Sequence, residues 1–314
     1  MILQLARFGA RYAATFLVSS VVVFLLLRVV PGDPAEIALG VTATAEAVAA
    51  KRTQLGLDQP LVAQYFTWMG GLLRGDFGTS LTSGAEISPL VWDRMQVSLI
   101  LVSAAMLLSL LIAIPLGTWA AMRARAIDGI AITAASQIGI AIPSFLAAVL
   151  AVSLFSVQLG WLPANGWVPP NHSLSGFLSR LILPAGALAA VQGAIMTRYV
   201  RSAVLDILGD DFMRTARAKG LTTSQALRKH GLRNAALPVV TVAGLQLTSL
   251  VVGAVVIERV FSIPGLGTML LDAVVGRDIT TVQTIVMLLV LFTLLVNLAV
   301  DVANTIIDPR TRIS

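Results

Sequence analysis

The sequence predicts an all-α polytopic membrane protein with six transmembrane helices. Three observations carry this. Hydrophobic residues make up 57% of the 314-residue chain and charged residues only 12%, about half the charged share of a soluble domain. So much apolar side chain cannot be hidden behind so little polar surface, so the solvent for most of the chain is lipid. Six stretches reach the length of about 20 apolar residues that a crossing needs. The basic residues, finally, are spread unevenly between those stretches, as in a chain with one orientation in a membrane. The same composition excludes a soluble enzyme, a disordered chain and a fibrous protein.

The first span, Tyr12–Val30, follows Arg7 and Arg11. It is longer than the apolar centre of a signal peptide and no small-x-small site follows it, so it is expected to be retained. Residues 31–96 are too polar for lipid and are expected to form an external helical segment. In it Thr44 caps a short Ala-rich helix running to Leu55, and Pro60 to Leu73 carry apolar side chains near helical spacing. Spans Val97–Ala121 and Ile130–Val157 are joined by a tight connection holding Arg123 and Arg125. Beyond them lie Trp161, Pro163, Asn165, Gly166, Trp167, Pro169 and Pro170, a mixture of turn formers and interfacial aromatics. Three more spans follow, Leu181–Tyr199, Val239–Val260 and Val282–Ile307. The chain thus divides into an N-terminal helix (1–30), the external segment (31–96), a five-helix core (97–307) with a separate element at 210–231, and a tail (308–314).

Placing both termini in the cytoplasm puts 14 of the 22 basic residues inside. These are Arg7, Arg11, Arg123, Arg125, the eight from Arg198 to Arg233, Arg310 and Arg312. The orientation rule therefore accounts for the pI of about 10.5. No nucleic-acid partner is expected, and membrane lipid is.

Several chemistries lack their residues. There is no cysteine, hence no disulfide, iron–sulfur ligation or thiol nucleophile. The three lysines, Lys51, Lys219 and Lys229, do not follow a glycine as the phosphate-cradling P-loop lysine must. His172 and His230 fall on opposite sides of the membrane, so no metal site is expected. Span centres carry almost no charge. Glu258 and Arg259 lie at the outer end of the fifth span and Asp301 toward the inner end of the sixth, positions suited to snorkelling or ion pairing. Gln137, Gln192, Gln246 and Asn297 are polar groups that either line a passage or join helices by hydrogen bonds. A passage with few fixed charges suits substrates of varied side chain. A stand-alone secondary transporter would show paired inverted repeats with broken helices, and the sequence has neither.

The stretch from Arg201 to Pro238 does not read as a simple connector. Asp210 and Asp211 precede the amphipathic Phe212–Lys219, with Arg217 and Lys219 in its last turn, a charge order that suits the helix dipole. Gly220 stands where a left-handed residue ends a helix. Thr222-Thr223-Ser224-Gln225 has the form of a capping box, so a second short helix is expected to start at once and stop near Gly231, with Pro238 opening the fifth span. Orientation accounts for the basic charge alone, but not for two capped helices bent at a glycine. The apolar face of Phe212, Met213, Ala216 and Leu221 is expected where another protein docks.

Arg214-Thr215-Ala216-Arg217-Ala218-Lys219-Gly220-Leu221 resembles the "EAA" loop of permease subunits of binding-protein-dependent ABC importers. The chain as a whole is similar to the first permease subunit of the dipeptide/oligopeptide/nickel branch. The stretches Val30–Ala35, Leu55–Leu61, Gly71–Ser80 and Phe261–Gly267 carry that narrower match, in the family's order along nearly the full length. Arg214 stands where the wider family has glutamate, which puts in doubt any contact needing a carboxylate there. The resemblance implies a type I ABC importer transmembrane domain in the bacterial cytoplasmic membrane, forming half of a pore with a homologous second permease. It implies two cytoplasmic ATPases, with ATP and Mg bound by them and no cofactor or enzymatic site on this chain. They would dock on Asp211, Phe212, Arg214, Thr215, Ala216, Ala218, Lys219, Gly220 and Leu221. It implies an extracytoplasmic peptide-binding protein, and a cargo of di- or oligopeptides, with nickel–chelate or glutathione as the alternative. An outer gate is expected at Glu258, Phe261, Pro264, Gly265 and Gly267, where Pro264 fixes φ and the glycines allow a tight, re-entrant turn.

Overall fold

The computed structural model describes residues 2–29, 32–40 and 42–307, with side chains from Arg7 onward. Val30 and Pro31, which end the first span and open one of the resemblance motifs, lie outside the described residues. So does the expected tail 308–314 with Arg310 and Arg312. Among the described residues the chain is helical, with no strand beyond an isolated bridge between Thr79 and Glu86. In order the helices are α1 (Ile2–Val29), α2 (Pro34–Leu39), α3 (Ala45–Gln54), α4 (Leu61–Arg74), α5 (Ile87–Met122), α6 (Ile127–Ala141) and α7 (Ser144–Ala151). They continue with α8 (Leu174–Gly209), α9 (Asp211–Ala218), α10 (Thr223–Ala226), α11 (Leu232–Val260), α12 (Leu266–Val275) and α13 (Ile279–Ile307).

Five helices are long and apolar enough to cross a bilayer, and a bent pair makes a sixth crossing. The bent pair corrects the expectation of one continuous third span. α6 and α7 meet at 99°. Pro143 follows Ile142, whose backbone is extended at φ −85° and ψ 120°, because a following proline ring crowds the helical conformation. After α7 the chain passes into a π-helical turn, Val152–Gln158. Pro115, Pro184 and Pro238 lie inside α5, α8 and α11. The fifth span therefore does not open at Pro238. α10, a π-turn at Leu227–Gly231 and α11 run on as one helix from Thr223 to Val260. α5 and α8, at 36 residues each, extend for about 54 Å. They outreach a hydrocarbon core of about 30 Å.

Two compact units are present. One comprises residues 99–263 and those from 296 on, the other residues 2–98 and 264–295. In the first, α8 packs against α6, α7 and α11. Small residues set its crossings. A Cβ on Gly117 would meet the Thr197 carbonyl oxygen and Val200 at 2.7 Å, so α5 and α8 touch backbone to backbone. Gly244 similarly admits Val300. In the second unit α1 packs on α4 through Phe24, Tyr65 and Trp68, and the Ser20 and Tyr65 hydroxyls hydrogen-bond at 2.7 Å. Thr44 caps α3 as expected, accepting from the Ala47 N–H at 3.3 Å. Phe77, Ile87, Val91, Leu266 and Ile285 form a buried cluster there. Many large apolar side chains, such as Leu111, Val252 and Leu107, remain exposed. That surface is stable only against lipid or protein.

Candidate functional site

From Asp210 to its capping box the element at 210–231 has the local geometry its sequence expects, but its second helix does not stop near Gly231 and runs on into α11. α9 begins after Asp210 and ends at Lys219, and Gly220 takes φ +88°. No heavy atom lies within 4 Å of where its Cβ would be, so the backbone angle alone selects glycine. The capping box closes in both directions. The Gln225 N–H donates to Thr222 Oγ1 at 3.3 Å and the Thr222 N–H to Gln225 Oε1 at 3.0 Å.

Its apolar face, however, points into the chain itself. Met213 is 1% exposed and Ala216 7%. Both join a buried cluster with Ala121 of α5, Val200, Ala203 and Val204 of α8, Leu227 of the π-turn and Ala235 of α11, and Leu221 packs against its edge. Ala216, expected on the docking face, is therefore covered by its own helices, because at helical spacing Met213 and Ala216 share one side of α9. The opposite side is open. Asp211, Phe212, Arg214, Thr215, Ala218, Lys219 and Gly220 are exposed. Arg214 pairs with Asp211 at 3.2 Å, with both side chains mostly in solvent, a geometry that contributes little to stability. The result is a basic, exposed ridge welded from below to three long helices.

Of the four amides expected along a passage, the fold pairs two. Gln192 Nε2 donates to Gln246 Oε1 at 3.1 Å, with Gln192 buried, and so ties α8 to α11. Gln137 is exposed on α6 and Asn297 half-buried on α13.

The residues expected at an outer gate fall in both units. In the first, Glu258, Phe261 and Ile263 are buried at the end of α11. The Phe261 carbonyl accepts from the Gly166 N–H at 2.8 Å, and the Ile263 N–H donates to the Glu258 carbonyl at 2.8 Å. The left-handed residue of this turn is Ser262, at φ +51°. The glycines do not supply it. In the second unit Pro264 is half-buried, Gly265 is extended at φ −101° and ψ −178° ahead of α12, and Gly267 lies inside that short apolar helix. Ser98 caps α12 from α5, accepting from the buried Leu266 N–H at 2.8 Å.

The second unit also contains a polar hub that sequence reading missed. Asp278 is buried and accepts from Ser80 Oγ at 2.5 Å, the Leu81 N–H at 3.1 Å, Thr281 Oγ1 at 2.7 Å and the Thr281 N–H at 3.3 Å. It caps α13 and pins a loop 198 positions earlier in the chain. That loop is the second half of the Gly71–Ser80 motif. Asp76 Oδ1 accepts from the Gly78 N–H at 3.0 Å, Gly78 is left-handed at φ +76°, Phe77 is buried, and Ser80 reaches Asp278. An aspartate one position before a long apolar helix is a legible cap signal. Its distant partners are not.

The family model for the inner membrane component of binding-protein-dependent transport systems matches residues 113–313, and the model for the N-terminal part of such membrane components matches residues 1–102. The chain is 42% identical over 299 residues to the glutathione transport system permease protein of Salmonella choleraesuis, covering 95% of each chain. It is 37% identical over 290 residues to a protein of Sinorhizobium fredii named probable peptide ABC transporter permease, covering 92% of this chain and 93% of that one. A crystal structure of an amino acid ABC transporter with histidines matches in fold alone, with a TM-score of 0.55 and 14% identity over 69% of this chain and 94% of that one.

Proposed function

Because this chain belongs to the family of inner membrane components of binding-protein-dependent transport systems, we propose that it forms half of the translocation pathway of an ATP-driven importer of di- or oligopeptides. It is an integral membrane permease subunit of an ABC importer, not itself an enzyme, and works with other subunits that carry the ATPase activity. The observation that carries the cargo reading is the full-length similarity to permeases whose names specify peptide and glutathione. Glutathione is itself a tripeptide, so both names belong to one chemical class. Glutathione is the second reading, favoured by the 42% identical relative.

In this reading the partners are a homologous second permease, two cytoplasmic ATPases that hold ATP and Mg, and an extracytoplasmic peptide-binding protein. Both termini and the 210–231 element face the cytoplasm, and residues 31–96 lie outside. The ATPases dock on the open side of α9, at Phe212, Arg214, Thr215, Ala218 and Lys219. Since Met213 and Ala216 lock α9 to α5, α8 and α11, a push on the ridge is passed to three spans at once. That is the lever alternating access needs.

Purification of the tagged chain from its native membranes, followed by proteoliposome uptake of L-Ala-L-Phe, tests the proposal. Co-purifying ATPases and ATP-dependent uptake that glutathione does not compete away support peptides as cargo. Competition by glutathione selects the second reading. Purification without ATPases, or uptake indifferent to ATP, refutes both.

A further inference from the structure

The chain covers only part of the apolar arc of α4. Tyr65 and Trp68 pack on Phe24 of α1, Met69 is buried, and Leu72 lies at the edge of the cluster of Phe77, Ile87 and Val91. Beside these, Val62, Phe66 and Leu73 stand 67%, 66% and 72% exposed. At about 100° per residue the three fall within an arc of about 40°, so they form one stripe. Gln64, Thr67, Gly71 and Arg74 take the opposite side of the helix. The stripe continues from the contact with α1. The Phe66 and Tyr65 ring centres stand 5.4 Å apart, and those of Tyr65 and Phe24 5.5 Å. Leu25 and Leu26, next to Phe24 along α1, are exposed as well. α1 also fixes the depth. No charge stands between Arg11 and Arg28, and Phe24 comes before Arg28 in the chain. Their separation of one helical turn is about 6 Å along the axis. The Tyr65 hydroxyl reaches a further turn inward, to Ser20.

We propose that α4 lies in the membrane interface, with Val62, Phe66 and Leu73 sunk among lipid acyl chains and the side carrying Thr67 and Arg74 turned to water. Amphipathic helices of this kind are buried about 5–10 Å into the boundary between headgroups and acyl chains, which is the depth at which Phe24 holds Tyr65 and Trp68. Tyrosine and tryptophan are the residue types that favour this level. A protein partner is the poorer match. Three side chains in one stripe fall far short of the roughly 20–30 residues a side of a stable protein interface. Lipid needs only apolar surface continuous with the span, and the stripe beside α1 supplies it. The segment between α1 and α5 is thereby fastened to the bilayer by an element that does not cross it. The depth is set by α1 alone, so it holds whichever side of the membrane residues 31–96 face and whatever the cargo is.

The test is the depth of single nitroxide labels, which a chain without cysteine allows. Val62→Cys, Phe66→Cys, Leu73→Cys and Thr67→Cys are labelled one at a time, with Leu26→Cys on α1 as the lipid reference. Each is measured in the assembled complex in nanodiscs of phosphatidylethanolamine and phosphatidylglycerol. Power saturation gives the collision rates with oxygen, which concentrates in lipid, and with a nickel chelate, which stays in water. The oxygen-to-nickel ratio at Val62, Phe66 and Leu73 should exceed that at Thr67 by at least about fivefold and approach that at Leu26. Ratios equal to that at Thr67 put the stripe in water and overturn the proposal. Low collision rates with both reagents also overturn it, and assign the stripe to a protein partner. If Phe66→Cys does not assemble, Val62→Cys and Leu73→Cys, both at exposed positions, read the two ends of the same stripe. Peptide uptake is not a readout of this experiment, so the failure of the cargo reading would leave its result unchanged.

Discussion

Replacing Met213 by alanine separates the inward from the outward face of α9. Met213 is 1% exposed and sits among Val204, Ala216 and Leu227. Truncation removes Cγ, Sδ and Cε. At about 0.8 kcal/mol per buried methylene-sized group the transfer loss alone is about 2 kcal/mol. The cavity left behind brings the total into the range of about 2–5 kcal/mol. Even the lower figure raises the population of the opened element about thirtyfold. Trypsin cleavage after Arg217 and Lys219 in detergent, with no ATPase present, reads that population. Met213→Ala should be cleaved at least tenfold faster than wild type, while Arg214→Glu should be cleaved at the wild-type rate, because its Asp211 pair is solvent-exposed. Co-purification of ATPases should fall in both. If Met213→Ala is cleaved like wild type, the inward packing of α9 is wrong. If Arg214→Glu speeds cleavage, the open face is structural and not a docking ridge.

In a chain without cysteine, Thr82→Cys should react with an impermeant maleimide in intact cells and Lys229→Cys should not; the reverse pattern refutes the orientation. Gly220→Val should lose uptake with the spans still inserted, whereas Gly220→Asn, which tolerates positive φ, should retain most of it; equal uptake in the two variants refutes the backbone argument. Asp278→Ala strips the acceptor from Ser80, Thr281 and the buried Leu81 N–H. Removing charge-assisted bonds worth about 1.5–3 kcal/mol apiece should lower the thermal midpoint well below that of Asp278→Asn, and an unchanged midpoint would dismiss the hub.

What the sequence by itself determined is what depends on composition or on residues within about four positions of one another. Lipid as solvent follows from apolar content. The Thr44 cap, the Thr222–Gln225 box and the left-handed Gly220 follow from hydrogen bonds and sterics closed inside one turn, so they are legible without a fold. Tertiary structure decided the rest, because long-range packing chooses among locally equal options. An apolar stripe on α9 does not state whether a partner or the chain's own α5, α8 and α11 will cover it, and here the chain covers Met213 and Ala216. Pro115, Pro143, Pro184 and Pro238 all stand in apolar runs. Three are held inside helices and one turns the chain by 99°. Gln192 and Gln246 read equally as passage lining or helix bridging until α8 meets α11 and they bond. Asp278 is a local cap by sequence, and it becomes a hub only when Ser80, 198 positions away, is folded onto it.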